Sequence, residues 1–158
     1  MFSIESLVPQ FDQALAAVPG RAETAHVLEE SIEHPTLSPR TAALIRVAVA
    51  QRVGCPYSRW AMARIAARQS VSAEDVFLAT SGTARDPIEN VLVKASIRLA
   101  SCGRSSHPSD FGALSHLLGE ERATEVVAQV ALSMLACEAL AAIAPSAGAK
   151  SERSRPGA

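Results

Sequence analysis

The sequence predicts an all-α bundle of six to eight helices. Three observations carry that expectation. Apolar residues recur at spacings of three and four, and no segment shows the period-two alternation of a half-buried strand. Alanine, the best helix former, is abundant, while aromatic residues make up only 4% of the chain. Capping residues followed by proline, and glycines at the ends of apolar runs, divide the sequence into helix-length pieces.

The elements follow in order. Ile4, Leu7, Val8, Phe11, Leu15 and Val18 share one helical face that Pro19-Gly20 closes, and Pro9 marks a starting point inside the pattern. A second helix is expected from Ala22 to Ile32, with Ala25, Leu28 and Ile32 inward, stopping before His34-Pro35. Ser38 caps the third, and Pro39 takes its first position, where a missing N–H costs nothing. This helix runs to Val53 and is broken by Gly54. Cys55-Pro56 opens a helix to about Arg68, with Trp60, Ala63 and Ala67 along one side. Ser72 and Asp75 have capping-box spacing and open a short helix through Leu78 that ends near Gly82. Asp86-Pro87 repeats the cap-plus-proline start, and Ile88, Val91, Leu92, Ala95, Leu99 and Cys102 form a stripe behind it. Gly103 to Ser106 reads as a loop. Ser109 or Asp110 then caps a helix bearing Phe111, Leu114, Leu117 and Leu118, ended by Gly119. The last helix, Glu121 to Ile143, is apolar nearly all round, as helices at a bundle centre or a subunit interface are. The expected organisation is an N-terminal helical extension (1–36) packing on a core (37–144), followed by a flexible tail (145–158).

Composition bounds the function. The 158 residues fit one domain, and 48% apolar with 20% charged is globular composition. A net charge of -1 without a basic block argues against a nucleic-acid partner. No run reaches roughly 18 uninterrupted apolar residues, and Met1 to Val8 lacks a signal-peptide pattern, so neither a membrane span nor export is expected. Three cysteines, Cys55, Cys102 and Cys137, are too few and too far apart for a disulfide framework or a zinc site. Their odd number suits a reducing cytoplasm. No HxxxH or HExxH pattern exists: His26 pairs at i,i+4 with Glu30, His34 precedes a proline, His107 leads into a helix and His116 lies within one. No metal or cofactor is expected.

One stretch is recognisable. Leu37-Ser38-Pro39-Arg40, a helix of Ala, Leu, Ile, Val and Arg, and then Val53-Gly54-Cys55-Pro56-Tyr57-Ser58-Arg59-Trp60-Ala61-Met62 resemble the carboxymuconolactone decarboxylase and alkylhydroperoxidase AhpD-like superfamily. The resemblance covers about Leu37 to Ala144 and implies an AhpD-like helical bundle that assembles as a homo-oligomer. The family's redox members carry Cys-x-x-Cys-x-x-x-His, with a glutamate twelve residues before the first cysteine. Here the first cysteine is Cys55, the second position holds Ser58, the histidine position holds Met62 and the glutamate position holds Ala43. The resemblance makes the downstream cysteine the thiol that meets peroxide and the upstream one its resolving partner. This chain keeps the resolving position and lacks the attacking thiol and both proton-relay groups. Peroxide reduction needs a thiolate and a proton donor, and an alcohol at Ser58 cannot replace the thiolate. Cys-Pro-Tyr-Ser also resembles the glutaredoxin tetrad, but that motif requires a strand before it, and Ala42 to Val53 reads as helix.

Three readings of function follow. The first is a family-like protein without the peroxidase dithiol, serving as an oligomeric scaffold or binding a small molecule. The second is a single-thiol antioxidant enzyme using Cys55, which lies at a helix N-terminus with Arg59 four residues on; both features favour a thiolate that could meet a peroxide or a small thiol. The third is a decarboxylase- or lactonase-type enzyme with a rewired site using Glu138 or His107. Ala43, Tyr57, Arg59, Met62 and Glu138 are the candidates to line a small pocket beside the motif. Against these readings stand plainer roles. Cys55 reads as a buried turn residue, Cys102 and Cys137 as core residues, Glu138 as an acid at the bundle edge, and Tyr57 and Trp60 as ordinary packing beside the motif. Pairing of Cys55 with Cys102 or Cys137 requires the fold to bring them within disulfide reach.

Overall fold

The cap expected at Ser38 forms: its hydroxyl accepts the Thr41 backbone N–H at 3.0 Å, and Pro39 starts the first described helix. The structure is a computed structural model that describes residue 20, residues 35–101 and residues 108–148. The expected helices before residue 35, with His26 and His34, lie outside the described residues, as do Cys102, the loop after it, His107 and residues 149–158. The described helices are α1 (Pro39–Val53), α2 (Pro56–Arg68), α3 (Ala73–Thr80), α4 (Pro87–Ser101), α5 (Pro108–Leu118) and α6 (Glu120–Gly148). Among the described residues there is no strand, and the fold they form is all-α.

Local chemistry accounts for most helix boundaries. Gly54 ends α1 at φ 84, a left-handed conformation that costs glycine little, and its N–H returns to the Ala50 carbonyl. Asp86 caps α4 through Oδ1, which accepts the Ile88 and Glu89 N–H groups at 2.8 and 2.9 Å. Ser72 caps α3 by accepting the Asp75 N–H at 3.1 Å, and its hydroxyl donates back to Asp75 Oδ2 at 2.7 Å. Two boundaries differ from expectation. Ser109 and Asp110 fall inside the first turn of α5, which starts at Pro108. The helix expected to stop at Ile143 continues past Pro145 to Gly148, so the first residues of the expected tail are helical.

α1 lies at the centre, against α2, α3, α4 and α6. Every residue from Ala42 to Ala50 is buried. Its two sides serve two apolar clusters. Leu44 and Val47 meet Met62, Ile65, Val93, Leu132 and Leu140, while Ile45 and Val49 meet Leu92, Leu114, Val126 and Val130. α6 closes both clusters and packs on α1, α2, α4 and α5. By length and composition its Glu120–Ala141 stretch could cross a membrane, with mean hydropathy 1.4, yet 67% of that window is buried within the bundle. Burial against other helices accounts for an apolar surface of this kind.

Several inward faces are rotated from those expected. On α2 the buried apolar residues are Ala61, Met62, Ile65 and Ala66, while Trp60 is 54% exposed and Ala67 is also exposed. On α4, Leu92, Val93, Ala95 and Ser96 point inward, whereas Ile88 and Val91 are exposed. On α5, Leu114 is buried and Leu117 exposed.

A charged cluster ties three helices together. Arg40 on α1 donates to Asp75 Oδ2 on α3 at 2.9 Å and to Glu89 Oε1 on α4 at 3.1 Å. Arg85 lies beside Asp75 and pairs with Glu74. The Arg40 guanidinium, then the Ser72 hydroxyl, hold the Asp75 carboxyl down at about 2.

Candidate functional site

The turn between α1 and α2 places the one motif that the sequence singles out. Gly54 adopts the left-handed conformation, and Cys55 follows in extended backbone as the N-cap of α2, with Pro56 at the first helical position. The Cys55 side chain makes no capping hydrogen bond, and the residue is half-buried. Three residues on, Ser58 is fully buried, and its hydroxyl donates to the Cys137 carbonyl of α6 at 3.2 Å. The first turn of α2 is thereby docked on α6.

Cys137 is itself fully buried. Loss of solvent pushes its thiol up to about 11, the Ser58 hydroxyl pulls it down, and the charges of Cys55 and Glu138 push it further up. Cys55 and Cys137 are the two cysteines among the described residues. Neither thiol is in a disulfide. The sign of the shift fixes an alkaline limb. Unfolded Cys137 releases its proton near 9, and the folded chain retains it to about 11. Its contribution to stability is therefore present below 9 and lost as pH rises from 9 to 11. Replacing Cys137 with valine should flatten the fall in melting temperature across that window, as followed by circular dichroism at stepped pH.

The other positions flagged by the sequence divide into two groups. Ala43 and Met62 are both about 1% exposed and belong to the same apolar cluster as Cys137 and Leu140. Neither can relay a proton. Arg59 is exposed, and its Nη1 donates to Gln51 Oε1 on α1 at 3.4 Å. Trp60 stands outward, with the Arg64 guanidinium 5.0 Å from its ring centroid. Glu138 is exposed on α6, the position of a bundle-edge acid and not of one enclosed in a pocket. Tyr57 belongs to the first turn of α2, with its side chain outside the described set. Among the described residues no three His, Cys, Asp or Glu side chains gather as a metal site.

Two further polar features were not singled out by the sequence reading. One is a buried stripe on α6 at spacings of four, Glu125, Gln129 and Ser133. The Arg46 guanidinium of α1 donates through Nε and Nη2 to Gln129 Oε1 at 3.2 and 3.0 Å. Glu125 Oε2 accepts the Thr36 N–H and hydroxyl, both at 2.7 Å, and the Leu37 N–H at 3.0 Å. The period of the stripe was visible in an otherwise apolar helix. The other feature is an open cleft of about 450 Å³ where α1 and α4 begin, lined among others by Thr36, Ser38, Arg40, Arg85, Glu89 and Arg122. Its only signal in the sequence was the pair of capped proline starts.

Against known protein families, characterised proteins and solved structures, the chain shows no match. Its chemistry is therefore argued from the residues themselves. At the α2 start these are a half-buried thiol, a buried thiol and a hydroxyl already engaged by a backbone carbonyl.

Proposed function

We propose that this chain is an AhpD-like helical protein that does not turn over hydroperoxides and instead binds a small molecule as a homo-oligomer. The observation that carries this reading is Ser58. At the position of the family's attacking thiol stands a fully buried hydroxyl that donates to the Cys137 carbonyl. A hydroxyl so placed is neither nucleophilic at neutral pH nor open to a substrate. Buried Ala43 and Met62 supply no proton for a leaving oxygen. The cleft at the start of α1 and α4 supports the binding role, since about 450 Å³ lined by both charges and hydroxyls suits a small polar ligand. Exposed Trp60, Phe77, Ile88 and Val91 support a second copy covering part of the surface.

The test is steady-state consumption of cumene hydroperoxide with dithiothreitol as electron donor. The full chain should consume peroxide no faster than dithiothreitol alone, and Cys55→Ser should behave identically. A saturable rate that disappears in Cys55→Ser would favour the single-thiol antioxidant reading.

A further inference from the structure

The cleft where α1 and α4 begin has an apolar floor and a charged rim. Leu92 is 2% exposed and belongs to the cluster of Ile45 and Val49; Leu37 and Leu118 pack against that cluster and also line the cleft. Five charged residues line the same space, and four of them are already answered. Arg40 donates to Asp75 and to Glu89, which accounts for the Glu89 carboxylate as well. Arg85 pairs with Glu74 and lies beside Asp75. Asp86 accepts two N–H groups at the start of α4. The fifth is Arg122, whose guanidinium has no hydrogen-bond or ion-pair partner among the described residues. Helix stability does not explain its place. Arg122 is the third residue of α6, and a cation in the first turn is opposed by the helix macrodipole. The acids of that turn, Glu120 and Glu121, do not line the cleft, and Glu125, three residues on, directs its Oε2 to Thr36 and Leu37.

Building on the small-molecule reading of this cleft, on which the assignment rests, we propose that it binds a small organic monocarboxylate, with the carboxylate on Arg122 and the apolar body over Leu37, Leu92 and Leu118. Arginine presents a planar fork of donors that both oxygens of one carboxylate accept together, and such a charge-assisted pair is stronger than one between neutral groups. A second negative charge on the ligand would find only Arg40 and Arg85, both already engaged by acids. A cationic ligand would meet Arg122 and would have to displace Arg40 from Glu89. The leucines take the rest of the molecule. A volume of about 450 Å³ lies within the range of small-molecule sites, whose usual lining is apolar with a few placed polar groups.

The probe is hydrocinnamate, compared with hydrocinnamamide, its neutral amide, by isothermal titration calorimetry on the full chain at neutral pH and low salt. Hydrocinnamate should bind about tenfold more tightly than the amide. Arg122→Gln should bring the two within about twofold of each other, and Arg64→Gln, on the exposed face of α2, should leave the ratio as it was. Acetate, which lacks the apolar body, should bind at least about tenfold more weakly than hydrocinnamate. Equal affinities for acid and amide would overturn the assignment. So would an affinity for hydrocinnamate that Arg122→Gln leaves unchanged, or no binding of hydrocinnamate at all. An amide that binds as tightly as the acid would leave the small-molecule reading in place, whereas turnover of hydroperoxide by the unaltered chain would remove that reading itself.

Discussion

Glu125→Ala is expected to cost about 3 kcal/mol of unfolding free energy, read from urea melts in which the midpoint falls and the slope is unchanged. Glu125 is 5% exposed, and its Oε2 accepts three hydrogen bonds from the two residues that lead into α1. A hydrogen bond to a charged acceptor contributes about 1.5–3 kcal/mol, so three would suggest a larger loss. Two considerations reduce it. Thr36 and Leu37 are only half-buried, so their donors can turn to water once the carboxylate is gone. Glu125 Oε1 is buried with no hydrogen-bond partner among the described residues, a cost that the substitution removes. Glu125→Gln, which keeps an oxygen in place of Oε2, should lose less than half as much. Equal losses in the two variants would mean that the charge, and not the acceptor geometry, holds the lead-in of α1 on α6.

Asp75→Asn is expected to cost about 2 kcal/mol at neutral pH, with the difference from the unaltered chain closing in acid. The Asp75 carboxyl is held at about 2, against 3.8 for an ordinary aspartate. Its contribution is therefore fully present above pH 4 and is lost as pH falls from 4 to 2. The magnitude is discounted because the Arg40 side chain that causes most of the shift is 37% exposed and partly screened by solvent. Urea melts at stepped pH should show the two stability curves converging across that window. Parallel curves would show that Asp75 acts through the neutral capping bond with Ser72 alone.

Much of this architecture was legible because helix boundaries are local chemistry. Ser38-Pro39, Cys55-Pro56, Ser72 with Asp75, Asp86-Pro87 and the glycines at 54, 82 and 119 each act on their own turn, and the structure places helix ends beside all of them. Inward faces were harder to read. On an alanine-rich helix every side is mildly apolar, so the bulk of Trp60 drew the expected α2 stripe toward a face that the fold leaves in solvent. Ile88 and Val91 misled in the same way on α4. Pro145 was read as a stop because proline removes one backbone donor, but α6 continues through it to Gly148.

The candidate site was legible as a turn and not as a neighbourhood. Spacing showed that Ser58 stands where a second thiol would make a dithiol with Cys55. It could not show that Ser58 is committed to the Cys137 carbonyl, because that contact spans 79 positions and depends on how α2 crosses α6. The Arg46–Gln129 pair is of the same kind, a guanidinium on one helix donating twice to a buried amide oxygen on another.

On the proposed reading the α2 start holds a thiol without the means to attack peroxide. The first chemical step tests it most directly. Trp60 is the only tryptophan and lies five residues after Cys55, so its fluorescence is followed alongside the intact mass of acid-quenched samples, which scores oxidation of Cys55 itself. In stopped flow, the fully reduced chain mixed with excess hydroperoxide should react no faster than dissolved N-acetylcysteine, and Ser58→Ala should not alter the rate. A fast fluorescence phase, linear in hydroperoxide and absent from Cys55→Ser, would contradict the account.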